Sequence, residues 1–124
     1  MSNFTVEFYE TADGKSPIDD FIKSQPRKMQ AKIFRSLQLL SEYGNELRLP
    51  DSENLGDGIF EVRTKLGSDI TRILYFFFVG NKAVLTNGFV KKTQKTPPAE
   101  IALAKKRRAD YLSRNDGDNN ENTR

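Results

Sequence analysis

Between residues 27 and 92 the spacing of apolar side chains switches from a helical period to a strand period, so one kind of secondary structure cannot serve both halves. From Arg27 onward, Met29, Ile33, Phe34, Leu37 and Leu40 recur at three- and four-residue steps, which lines one face of a helix, and Gly44 stands where a C-terminal cap belongs. From residue 59 the chain alternates instead. IFEVRTK (59–65), ITRILYFFFV (70–79) and KAVLTNGFVKK (82–92) are joined by LGSD and Gly80-Asn81, which predicts an antiparallel meander. Its middle strand is apolar on both faces, so something must cover each side of it.

The flanks supply the cover. Phe4, Val6 and Phe8 alternate with polar residues and predict an opening strand, ended by Asp13-Gly14. Ser16-Pro17 reads as the N-cap and first position of a short helix with Ile18, Phe21 and Ile22 as its stripe, stopped by Pro26. The polar stretch LPDSENLGDG (49–58) predicts a loop. A last helix is expected with Thr96 as cap and Pro97 at its first position, running through Leu112, and RNDGDNNENTR is too polar to pack. The expected fold is α+β: an N-terminal strand and a helical pair packed on a mostly antiparallel sheet, closed by a C-terminal helix. One domain spans 1–113, followed by a disordered polar tail at 114–124. No run of eighteen apolar residues and no secretory pattern occurs, so the expected location is cytoplasmic, away from the membrane.

Composition restricts the chemistry. With no Cys and no His, neither thiolate nor imidazole can act as nucleophile, base or ligand. Asp51, Glu53 and Asp57 lie close in sequence but lack a calcium-loop pattern, so no metal site and no cofactor is expected. Charge is unevenly spread: residues 1–62 carry seven Lys/Arg against eleven Asp/Glu, whereas 63–114 carry twelve against three. The run GFVKKTQKTPPAEIALAKKRR (88–108) is the densest part, and such asymmetry points to a polyanion. For Lys105 to Arg108 a solvated helix face is the competing explanation.

Strand alternation sorts the cations by face. Glu61, Arg63 and Lys65 point one way from their strand, and Arg72 shares a face with Ile70, Leu74 and Phe76 in the next. An arginine among apolar residues is either a site residue, in which case it contributes little packing, or a cross-strand partner for Glu61. In the third strand Asn87, Phe89 and Lys91 line one side, and Gly88, Val90 and Lys92 the other. Convergence of Arg63, Arg72 and Lys91 or Lys92 would make a cationic pocket beside the Phe89 ring, unless that ring simply packs in the core. Guanidinium forks hold phosphate and a ring stacks on an unpaired base, so the pocket suits RNA better than duplex DNA, with Lys65, Phe89, Lys95, Lys105 and Arg108 as further RNA contacts.

The segments GIFEVRTK, RILYFF and NGFVKKTQKTPPAEIALAKKR resemble the RelE/HigB-like toxins of type II toxin–antitoxin modules, specifically their phage-derived Gp49-like branch. The resemblance extends over roughly residues 4–112. It implies a compact RelE/ParE-like fold, a ribosome-dependent mRNA interferase that cleaves mRNA in the decoding site without a cofactor, and a partner antitoxin, for this branch a helix-turn-helix (HigA-like) protein. Arg72 matches the family's phosphate-stabilising arginine, Arg63 a strand position that is Lys or Arg in active members, and Lys91 and Lys92 the cation at the end of the last strand. Several members of that family carry a Tyr or His near the C-terminus; this sequence has no His, and Tyr111 does not align with that position. Tyr111 is the only aromatic there, and Glu61 stands where the best-known member has Lys.

Cleavage by 2′-hydroxyl attack needs a base, and either Glu61 or a lysine depressed by neighbouring cations is a candidate. Two other functions share these features: a ParE-like gyrase inhibitor, and a non-catalytic RNA- or ribosome-binding module. For the antitoxin, the amphipathic helices at 17–24 and 27–43 are the expected docking ground, with Phe34 and Leu39 as exposed apolar residues unless both simply finish the core.

Overall fold

The computed structural model describes residues 3–92 and 94–123, with side chains through Asn115. In chain order the elements are β1 (Thr5–Phe8), α1 (Pro17–Lys23), α2 (Arg27–Tyr43), a 3-10 turn (Gly44–Glu46), β2 (Ser52–Gly56), β3 (Ile59–Leu66), β4 (Asp69–Phe78), β5 (Lys82–Val90) and α3 (Pro98–Thr123). One sheet has the order β1-β5-β4-β3-β2, antiparallel throughout except for the parallel β1–β5 pair. This is the α+β architecture expected from the sequence, with β4 at its centre.

The two apolar faces of β4 divide the core. Ile73 and Tyr75 face Ile18, Ile22, Met29, Ile33, Leu37 and Leu40 of the helical pair. Leu74 and Phe76 face Ala104 and Tyr111 of α3, with Tyr9 and Ile59 completing that cluster. Burying both faces of this strand is what fixes helices on opposite sides of the sheet. The bulge at Thr86 serves the same end: Leu74 pairs with Asn87 but Tyr75 with Leu85. The extra residue turns Gly88 toward α1, where a Cβ would meet the Phe21 ring, and leaves Asn87 and Phe89 on the α3 side.

Local signals behave as their chemistry requires. Ser16 Oγ accepts from the Asp19 amide at 3.3 Å with Pro17 following, and α2 ends at Gly44 in the left-handed region (φ 54°), where any Cβ would collide with the Phe4 ring.

Two expectations need correction. The stretch 49–58 is not a plain loop, because Ser52–Gly56 pairs with the first half of β3 through the backbone, which polar side chains do not prevent. The last helix begins one residue later than expected. The Pro97 carbonyl accepts from Glu100 and Ile101, so Pro97 is the cap and Pro98 the first position, while the Thr96 hydroxyl is engaged elsewhere. The helix also continues past its expected end at Leu112, so the backbone of the tail expected to be disordered is helical as far as Thr123, with the side chains beyond Asn115 outside the described ones. Among the described residues no helix is long and apolar enough to cross a membrane.

Candidate functional site

A cleft forms where β2 stops. β2 pairs only with Ile59–Val62, so beyond the Arg63 amide, which donates to the Asp51 carbonyl at 2.8 Å, the rest of β3 is the sheet edge. α2 runs alongside, tied to β3 by a Thr64–Ser36 hydroxyl hydrogen bond of 2.8 Å. The space between them is a cavity of about 420 Å³. Lys32, Arg35, Arg63, Lys65, Arg72 and Lys91 line it against one carboxylate, Asp51, and Leu39, Pro50 and Ile70 give it apolar patches. Strand alternation brings Arg63 and Lys65 to the rim and β4 pairing sets Arg72 opposite Arg63.

The floor is a neutralised pair of guanidiniums. Glu61 is 0% exposed and accepts from Arg63 Nε at 3.0 Å, from an Arg72 terminal nitrogen at 3.1 Å and from the Thr96 hydroxyl at 2.6 Å. A second Arg63 nitrogen pairs with Glu53, and Arg72, 3% exposed, also donates to Thr96 and to the Gln94 carbonyl. Burial, and after it the Arg72 charge, pulls Arg63 below the ordinary arginine pKa. The carboxylate of Glu61 offsets the repulsion of two cations held side by side and fixes their rotamers. Arg72 Nε is buried with no hydrogen-bond partner among the described residues, which leaves one donor unspent at the cleft floor.

This geometry corrects two sequence readings. Arg72 is both cross-strand partner and cleft residue, and being buried it does contribute to packing. Glu61 has no face open to a substrate, so it positions the two arginines and is closed off as a base in this state.

The walls differ from the floor. Among the described residues Lys32, Arg35, Lys65 and Lys91 enter no ion pair and no side-chain hydrogen bond, yet all four converge on the cleft. Lys92 is exposed beside it, in a shallow depression shared with Lys91 and Gln94, and Lys95 is exposed in the segment leading to α3. Lys105, Arg107 and Arg108 of α3 are elsewhere and employed. Lys105 pairs with the Asp57 carboxylate at 2.7 Å, Arg108 donates to the Asp57 carbonyl at 2.5 Å and Arg107 to the Thr86 carbonyl at 2.9 Å. They fasten α3 to the sheet and to the β2–β3 turn, so Lys105 and Arg108 do not join the other site candidates.

Phe89 packs against the α3-side core and does not line the cleft. Tyr111 is 3% exposed, packed on Phe76 and Phe78, and donates to Glu7 at 3.0 Å, far from a stacking role. Glu53 and Asp57, grouped with Asp51 by sequence, go to the ion pairs already described.

Sequence reasoning missed Lys32 and Arg35. Counting charge over residues 1–62 as one acidic block hid that α2 carries Arg27, Lys28, Lys32 and Arg35 against one acid, Glu42. The signal was present as Lys28, Lys32 and Arg35 at helical spacing.

No curated protein matches the chain. A family model, Phage derived protein Gp49-like (DUF891), matches residues 20–109, a span that includes every residue lining the cleft. The chain therefore belongs to the Gp49-like family of RelE-like toxin–antitoxin toxins, and has an antitoxin as its family-implied partner.

Proposed function

We propose that this toxin is an mRNA interferase: a metal-independent endoribonuclease that cleaves mRNA on the ribosome. The observation that supports it best is the convergence of unneutralised Lys32, Arg35, Lys65 and Lys91 over a floor of pre-oriented Arg63 and Arg72. Four such cations sharing the cleft with a single carboxylate, Asp51, repel one another, and an RNA phosphate relieves that repulsion on binding. In the reaction the ribose 2′-oxygen attacks the adjacent phosphorus and the bond from phosphorus to the 5′-oxygen breaks. The products are a 2′,3′-cyclic phosphate and a 5′-hydroxyl.

Arg63 and Arg72 stabilise the dianionic transition state. Removal of one such preorganised donor costs about 10²- to 10³-fold in rate. Glu61 acts through them, as a positioning residue. Lys65 and Lys91 are the open groups that can give a proton to the departing 5′-oxygen. With no imidazole in the chain, removing the 2′-hydroxyl proton is the slow part on free RNA, which is why the reaction belongs on a ribosome that holds and bends the strand. The antitoxin is a helix-turn-helix (HigA-like) protein docking on α2, where Phe34 is 52% exposed; Leu39, expected to be exposed beside it, is half-buried in the cleft wall.

The test is to incubate the purified protein with programmed ribosomes and map the RNA ends. Cyclic phosphate termini within the coding sequence are expected. Unbroken RNA bound to the protein would leave a binding module, and unbroken, unbound RNA with lost DNA supercoiling would indicate the gyrase-inhibitor function.

A further inference from the structure

We infer that α2 is a second wall of the RNA site, and that a single strand leaving the cleft runs along α2 toward its N-terminus with its phosphates on Arg35, Lys32 and Lys28 in turn. The inference rests on the RNA reading above and extends it to the strand outside the reacting nucleotide.

Three observations carry it. Lys28, Lys32 and Arg35 stand at four- and three-residue steps, so they form one narrow stripe, and Lys32 and Arg35 already line the cleft. The rise from Lys28 to Lys32 is about 6 Å along the helix axis. None of the three has an ion pair or a side-chain hydrogen bond among the described residues, although lysines elsewhere, such as Lys23 and Lys105, do. The stripe also climbs toward a helix end that favours anions: α2 has no acidic residue in its first turn and no side-chain cap, so its amide groups and the positive end of its dipole are unopposed. An acidic protein could use the same stripe, but its continuity with a cleft floored by two arginines favours a phosphate chain.

The probe is a 2′-O-methyl RNA 12-mer, which binds but cannot be cut, with affinity measured against salt by fluorescence anisotropy on the full chain. Lys28→Gln/Lys32→Gln/Arg35→Gln should lower the log–log salt slope by about 2, since each lost single-strand phosphate contact removes about 0.7. Lys106→Gln, on the exposed side of α3, should leave the slope unchanged. Glutamine keeps good helix propensity, and equal melting temperatures for parent and triple variant would place the effect in binding. An unchanged slope in the triple variant, with a reduced slope in Lys65→Gln/Lys91→Gln, would overturn the α2 path and keep the cleft. No binding by the parent chain would overturn the RNA reading itself. Intact RNA binding with lost capture of the antitoxin would assign the stripe to the protein partner and overturn the inference.

Discussion

Replacing Arg72 with alanine should destabilise the fold as well as the activity. The substitution removes one of three donors to the Glu61 carboxylate, which is 0% exposed. Removing one partner of a buried ion pair costs about 3–5 kcal/mol. Arg63 and Thr96 stay on Glu61, so the lower end, about 3 kcal/mol, applies here. Against a total of about 5–15 kcal/mol for a domain of this kind, that is a large fraction. Urea unfolding followed by circular dichroism measures it as a lower midpoint at unchanged slope. The double variant Glu61→Leu/Arg72→Met, which removes both charges, should recover most of the loss, because apolar replacement of a whole buried pair is close to neutral. If Arg72→Ala unfolds within about 0.5 kcal/mol of the parent, Glu61 is not held as described, since surface changes of that size are ordinary. Loss of toxicity in Arg72→Ala therefore speaks for catalysis only when the folded fraction is measured beside it.

Arg63→Ala, whose side chain is partly open to the cleft, should lower cleavage on programmed ribosomes by about 10²- to 10³-fold, measured in single turnover; a change under about threefold would remove it from the transition state. Burial, and then the hydrogen bond to Glu7, push the Tyr111 hydroxyl up to about 12. An unfolded tyrosine titrates near 10, so this stabilisation is present below about pH 10 and fades as pH rises toward the folded value. Tyr111→Phe should consequently be less stable than the parent at pH 8 and closer to it at pH 11 by urea unfolding, and an equal gap at both would refute the assignment. Gly44→Ala should cost more than about 1 kcal/mol by the same assay, because a Cβ there meets the Phe4 ring and the backbone is left-handed; a neutral result would mean that the end of α2 moves aside without cost.

The layering of the fold was legible because burial leaves a periodic trace. A β4 segment apolar on both faces demands cover on each, and the stripes of α1, α2 and α3 answer it. β2 left no such trace: its residues are held by backbone pairing at a sheet edge, and Ser-Glu-Asn-Leu-Gly has no apolar alternation to read. At the site, alternation placed Arg63, Lys65 and Arg72 on neighbouring strands, which suffices to bring them together in a sheet. Lys32 and Arg35 come from an element distant in sequence, and only the crossing of α2 over the edge of β3 makes them neighbours. The cluster at Lys105–Arg108 misled for a related reason, since density of charge in sequence says nothing about which cations a carboxylate or carbonyl already holds.

The parallel pairing of the first strand with the last has a consequence for synthesis. Thr5 lies opposite Lys82, so β1 has no partner until β5 has been made, and the two must then meet across most of the chain. Contacts of such sequence separation form slowly, because the closure entropy of the intervening loop is met before any pairing rewards it. Lys91 follows β5, and the Thr96 hydroxyl that helps hold Glu61 comes later still. A nascent chain therefore lacks both a closed sheet and the full set of partners on Glu61 until β5 and Thr96 have been made, so α2 is exposed to an antitoxin before the cationic cleft is complete.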